Sequence, residues 1–362
     1  MDDWLIDDDR LPLGRKSVIP GEGFFLPDDI EREREETEAA TALADAGTVV
    51  VADPDADGLA CTALIREARG EGVLLPAGPR EIRTALERVA EYAPPDIAVY
   101  VCDLCPDAES DVASLGAVAE LASSVHWFDH HQWDDHLRTR VESAIDRLIV
   151  GDSEEECSAD VALRSLDAAF DDRFRELATV TRDHDLWLRE DPRSDDLADY
   201  AYWEDPEEYV AVVREHGADL PEAVREYLAE QRVEKEALIE RAVDRAELHQ
   251  VGPWTVGVTY GRCSQNEVAE ALRQDGCDAA VIVKPAGSAS LRGTDDFQRC
   301  HEVARQVNGG GHPKASGCKP DIYDDMLDYA HHWTTRGATA KQVILDAFRA
   351  LDRSEDAEGT AE

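Results

Sequence analysis

Between residues 47 and 150 the chain alternates short apolar runs with longer amphipathic segments. The runs are TVVVA, GVLLP, IAVYVC, VHWF and RLIV, and stretches such as GLACTALIREARG lie between them. Strands separated by helix-length segments predict crossover units and a parallel sheet. In such sheets ligands gather beyond the carboxyl ends of the strands, so the polar residues that follow each run carry the functional question.

Helical sequence continues to about residue 190. PEAVREYLAEQRVEKEALIERAVDRAEL then reads as a long charged helix with an interrupted apolar stripe, suited to joining two domains. Beyond Val251 a second pattern begins: WTVGVTY, a helix after CSQNE, AAVIVK, SASLRG, a helix containing FQRCHEVARQV, and NGGGHPKASG. The chain is therefore expected to be α/β throughout, in two domains. The expected segments are an irregular acidic extension over 1–38, a parallel-sheet domain over 39–195, a helical linker over 196–249, a smaller α/β domain over 250–350, and a disordered tail over 351–362.

Composition changes how acids are read. Asp and Glu number 80 against 37 Lys and Arg, for a net charge of -43. Such a charge strains a compact fold by self-repulsion, which molar salt screens to within about 3 Å. The profile resembles the proteome of a salt-in halophile, so acidity does not exclude a nucleic-acid partner. It also makes clustered acids cheap, and a single triplet of them is weak evidence. No apolar run approaches the ~18 residues of a membrane span, and the opening MDDWLIDDDR has no basic region, so a cytoplasmic protein with no membrane partner is expected. Eight cysteines include one CxxC pair, Cys102 and Cys105, without a second pair to complete a zinc site. Reduced thiols buried at strand ends are expected.

Three of the expected strands end in chemically matched groups. The first ends in Asp53, Asp55 and Asp57, the next in Cys102 and Asp103, and a third in Asp129, His130 and His131. Crowded carboxylates raise one another's pKa unless cations neutralise them. Two divalent ions about 3.5–4 Å apart would do so and would activate a water for phosphoryl displacement. Oxygen ligands alone suit Mg²⁺, and imidazole shifts the preference towards Mn²⁺. Against this stand simpler readings: Asp57 before Gly58 as a helix N-cap, and His130 with His131 as a solvated pair.

DPDADG, CDLC around Asp103, and FDHHQ resemble the first three motifs of the DHH phosphoesterase family. A fourth motif matches TVTRDHDLW, where Asp183 follows LATVT as the family pattern does and Asp185 is the other option. NGGGHPKASG resembles the signature of the accompanying DHHA1 domain, and the motifs run in family order from about 45 to 345. The resemblance implies a DHH domain, a connecting helix and a DHHA1 domain with the active site between them. It implies metal ligation by Asp55, Asp57, a bridging Asp103, His130 and Asp183, with Asp53 where some members have His. His131 would sit near the scissile phosphate as a donor or orient a ligand. Gly309, Gly310 and Gly311 would turn backbone amides towards an anion, with His312 as a further donor. Arg292 would hold a phosphate or terminal group, with Lys314 nearby.

The activity implied is that of a phosphodiesterase with two divalent metal ions, Mn²⁺ preferred and Mg²⁺ possible. Asp103, His130 and His131 would be its catalytic residues. DPDADG looks most like the RecJ-type branch, and with the acidity it implies a haloarchaeal single-strand exonuclease acting on short or terminal nucleic acid beside replication or repair proteins. The alternatives are cleavage of short oligoribonucleotides, 3′-phosphoadenosine 5′-phosphate or cyclic dinucleotides, and, in a different class, a non-catalytic replication scaffold.

Overall fold

A computed structural model describes residues 28–323 and 326–358. It divides into two compact units, one over residues 29–229 and the other over residues 230 onward. The extension expected over residues 1–27 lies outside the described residues. From residue 28 that expectation is corrected: Asp28–Leu43 is a helix, α1. Its Ala, Glu and Arg are strong helix formers, and Glu35 and Glu36 pair with Arg88 at 3.1 and 2.8 Å.

The first unit continues through β1 (Thr48–Ala52), α2 (Ala56–Arg69), β2 (Val73–Pro76), α3 (Ile82–Tyr92), β3 (Ala98–Cys102), a short 3₁₀ turn, α4 (Leu115–Leu121), β4 (Ser124–Asp129), α5 (Asp135–Ala144) and β5 (Arg147–Val150). Every pairing is parallel, in the order β2-β1-β3-β4-β5. The five apolar runs are these five strands. Val49, Val51, Val99, Val101 and Trp127 face the core shared with α1 and α3 to α5, while Val50, Ala52, Tyr100, Cys102 and Phe128 face the opposite core. The strand order reverses at β1, which opens a crevice beyond the ends of β1 and β3.

That second core is covered by α2, α6 (Ser158–Ser165), α7 (Asp172–Asp185), α8 (Pro192–Trp203) and α9 (Pro206–His216). The linker expected over 196–249 is corrected here, because α8 and α9 belong to the first unit. Arg66 of α2 makes a two-pronged pair with Glu207 of α9 at 2.6 and 2.9 Å and also donates to the Gly72 carbonyl. Apolar Leu197, Tyr200, Tyr209 and Val213 are fully or nearly fully buried beside it. The unit boundary falls within α10 (Glu222–Asp244).

The second unit holds β6 (Glu247–Val251), β7 (Trp254–Tyr260), α11 (Gln265–Gln274), β8 (Ala279–Val283), β9 (Ala289–Gly293), α12 (Cys300–Arg305), β10 (Gly309–Gly311), β11 (Ala315–Cys318), α13 (Met326–Thr334) and α14 (Ala338–Glu358). Its six-stranded sheet runs β10-β11-β9-β8-β7-β6 and is antiparallel except for β7 with β8. Strand β6 lies within the expected linker; its ELHQV is mostly polar and exposed, so it carries no buried-strand signature. Helix α14 reaches Glu358, inside the tail expected to be disordered, and residues 359–362 lie outside the described residues. Among the described residues no helix is long and apolar enough to cross a membrane.

Candidate metal centre

The loop after β1 turns sharply into α2. A Cβ at Gly58 would lie 2.3 Å from the Asp53 carbonyl oxygen, so only glycine lets the helix start so close to the strand end. Asp55, not Asp57, is the N-cap: its Oδ1 accepts from the Asp57 and Gly58 amides at 2.9 and 3.1 Å. Asp57 is 1% exposed and has a different anchor. Its two oxygens accept from the Ser158 and Ala159 amides, at 2.6 and 2.8 Å, at the start of α6.

Asp103 follows β3 with φ of 58°, a left-handed conformation that Asp tolerates better than most residues. Its amide donates to the Phe128 carbonyl at 2.9 Å, which fixes the turn, and its Oδ1 accepts from the Ser158 hydroxyl at 2.9 Å. That oxygen lies 3.7 Å from His130 Nε2 and 3.8 Å from His131 Nδ1. Asp129 is fully buried and accepts from His131 Nδ1 at 2.8 Å and from Trp133 Nε1 at 2.5 Å.

At the fourth motif, on the last turn of α7, the structure brings Asp185 rather than Asp183 to the cluster. Asp183 is buried, its carboxylate accepts from the Glu190 and Asp191 amides at 2.9 and 3.2 Å and its carbonyl from Leu188 and Arg189, and it lies outside both groups of donor atoms that converge here. Asp185 instead brings Oδ2 to 3.3 Å from His130 Nε2, and that oxygen makes no hydrogen bond. Near the end of an α-helix, residues two apart point in different directions. Two groups of donor atoms result, each within 4.8 Å: Asp57, His130 and Asp185, and Asp103, His130 and His131.

The electrostatics are those of crowded acids. Burial first, then neighbouring carboxylates, pushes Asp103 well above the ordinary carboxylate range. The same causes raise Asp57 and Asp185, and they push Asp53 up to about 8. Asp129 goes the other way: burial opposes ionisation, but its bond to His131 prevails and holds it low. Burial would lower His131, yet the bond to Asp129 and the nearby carboxylates push it up to about 9. These contacts favour the protonated ring. Ser158 and Trp133 were not singled out from the sequence. Trp133 could have been found, four residues after Asp129 on the same loop; Ser158 is distant in sequence from both acids it serves.

No protein-family model and no curated protein matches the sequence. Solved structures do match. The DHH domain of a member of the s1p family of ribosomal proteins aligns over 90% of this chain and 92% of its own, with a TM-score of 0.56 at 13% identity. The exonuclease RecJ bound to manganese aligns over 84% and 94%, with a TM-score of 0.50 at 16% identity. The chain has the DHH fold. At these identities it is the fold that is shared.

In the second unit of this DHH-fold chain, the glycine motif differs from the turn expected. Gly309, Gly310 and Gly311 form β10, opposite Cys318, Gly317 and Ser316 of β11. A Cβ at Gly309 would lie 2.1 Å from the Gly317 oxygen, whereas Gly310 has nothing within 4 Å. Gly309→Ala is therefore expected to lower the melting temperature by several degrees while Gly310→Ala leaves it near wild type; equal melting would show that the hairpin is looser than this. The His312 amide donates to the Ala315 carbonyl at 2.7 Å and closes the connection. Arg292 of β9 lies opposite Ala315, donates to Asn266 at 2.9 Å, and is partly buried. Lys314 is paired with Asp295.

The eight cysteines are free, and Cys102 is fully buried at its strand end. Neither it nor Cys105 belongs to a donor group.

Proposed function

We propose that the protein is a divalent-metal-dependent phosphodiesterase that hydrolyses nucleotide phosphoester bonds, in the manner of RecJ-like exonucleases on short or terminal substrates. The observation that carries this reading is the convergence of Asp57, Asp103, Asp185 and His130, with carboxyls raised by burial and then by one another, and one buried oxygen left without a hydrogen bond. A donor set of carboxylates and imidazole fits a divalent transition ion, Mn²⁺ over Mg²⁺. Asp57, Asp103, His130 and Asp185 would hold it, with Asp53 and the second oxygen of Asp55 available to a second ion. Bound cations supply neutralisation of the phosphoryl oxygens and an acidified water.

The chain's own residues do the rest. Asp129 fixes His131 through Nδ1 and leaves Nε2 to donate a proton to the departing oxygen. Ser158 holds one oxygen of Asp103 and orients the carboxylate. Arg292 and the segment around His312 would receive a phosphate group. Their surroundings support this, because residues 248–320 carry eight Lys or Arg against seven Asp or Glu in a chain of net charge -43.

The test is a panel of single-stranded DNA, RNA dinucleotide, cyclic dinucleotide and 3′-phosphoadenosine 5′-phosphate in molar KCl with Mn²⁺. Turnover of none of them would sink the reading and favour a scaffold.

The raised carboxyls predict a pH effect. A carboxyl whose folded pKa is raised binds its proton more tightly in the native state, so metal-free stability falls as pH rises from about 4 towards the folded value. Asp53 places the end of that window near 8. The upward shift in melting temperature on adding Mn²⁺ is expected to be larger at pH 8 than at pH 5. An equal shift at both would mean that the carboxyls do not meet the ion.

A further inference from the structure

The loop leaving α7 carries unusual backbone. Trp187 and Arg189 both have φ of 57°, a conformation that costs non-glycine residues roughly 1–3 kcal/mol each. Asp183 meets that cost by accepting from four successive amides, Leu188 to Asp191. The strained loop thus has one fixed shape, beginning two residues after Asp185.

That shape serves a particular side chain. The Arg189 guanidinium lies over the Trp187 ring, 4.7 Å from its centroid. Asp195 takes Arg189 Nη2 at 2.6 Å and His184 Nδ1 at 3.2 Å, and the His184 ring meets Trp187 edge-on at 5.5 Å. The guanidinium is held on one face by an aromatic ring and at one edge by a carboxylate, yet 36% of the side chain remains exposed. A salt-bridged Arg is poorly placed to capture a phosphate. A flat, fixed guanidinium with an open face is well suited to stack on a planar ring.

We propose that Arg189, backed by Trp187 and edged by Asp195, is a stacking shelf for a nucleobase of the substrate, next to the metal-binding end of α7. The inference rests on the phosphodiesterase reading and adds to it: binding recognises the base as well as the phosphate. Leu188, between Trp187 and Arg189 in the chain, is 51% exposed.

The experiment compares dinucleotides with analogues in which one base or the other is replaced by an abasic tetrahydrofuran residue. Arg189→Ala is expected to raise KM for the normal dinucleotide about tenfold with kcat little changed, because stacking on one base is of that size. On one of the two abasic analogues the variant and the wild type should be equal. Arg189→Lys keeps the charge, loses the plane and should behave like Arg189→Ala. Equal losses on normal and abasic substrates, or a Lys variant like wild type, would overturn the shelf. A binding arm separates this from failure of the catalytic reading: calorimetry without metal should show AMP bound more tightly than ribose 5-phosphate, and Arg189→Ala should erase the difference. A difference unchanged in the variant would also overturn it, whether or not the wild type turns over any phosphoester.

Discussion

Asp103→Asn is expected to abolish turnover and, at the same time, to make the metal-free protein harder to melt. The two effects have one cause. Asp103 is 3% exposed, and burial, with Asp57, Asp55 and Asp185 around it, disfavours its charge. Asn keeps an oxygen to accept from Ser158 and tolerates the left-handed backbone at this position, which Ala would not. It removes only the charge that a cation needs. Replacing an outer-shell partner of a metal typically costs 10–100-fold, so loss of a central ligand should lower kcat by more than about a hundredfold and reduce bound metal. The gain in metal-free melting temperature should grow from pH 4 to pH 8, since wild type pays for ionising this carboxyl only above its unfolded pKa. Bound metal measured after gel filtration and melting curves across that range give both readouts. Wild-type metal content in the variant, or a lower metal-free melting point at pH 8, would refute this account of the strand end.

The second large effect separates Asp183 from Asp185. Asp185→Asn should remove metal binding and turnover with little change in fold, because its buried oxygen makes no hydrogen bond that Asn would break. Asp183→Asn should do the reverse. One of its two oxygens becomes a donor facing a partly buried backbone amide, and losing that acceptor costs about 1 kcal/mol. The melting temperature should fall while metal still binds in titration. If Asp183→Asn lost metal and kept its stability, the order inferred from the resemblance, Asp183 before Asp185, would be restored.

This pair also shows where the sequence is readable. Strand runs such as TVVVA and IAVYVC are apolar throughout, and burial on both faces makes that run itself the signal, so the sheet and the groups at its carboxyl edge could be placed in advance. Asp183 and Asp185 differ only in direction around a helix end, and that depends on where α7 stops. The stop is set by a loop with two left-handed residues, for which Trp and Arg give no warning. The N-cap is ambiguous between Asp55 and Asp57 in the sequence for a related reason: three acids at alternate positions offer several possible caps, and the Ser158 and Ala159 amides that claim Asp57 are remote in sequence. The glycine motif is legible in a different way. Glycine suggests a turn, but Gly309 is needed for its missing Cβ in a strand pair. Polar β6 and the acidic α1 were hidden because one lacks an apolar face and the other resembles a loose extension.

The uneven distribution of charge has a consequence for dilution. With residues 248–320 nearly balanced, almost the whole excess of -43 falls on the rest of the chain, including the sheet that carries the acidic cluster. Desalting therefore loads the two halves unequally. As counterions are withdrawn, the five-stranded sheet should loosen first, while the hairpin of Gly309 and the strands beside it keep their amide protons protected from exchange. The order in which the molecule comes apart would then follow the placement of its charge.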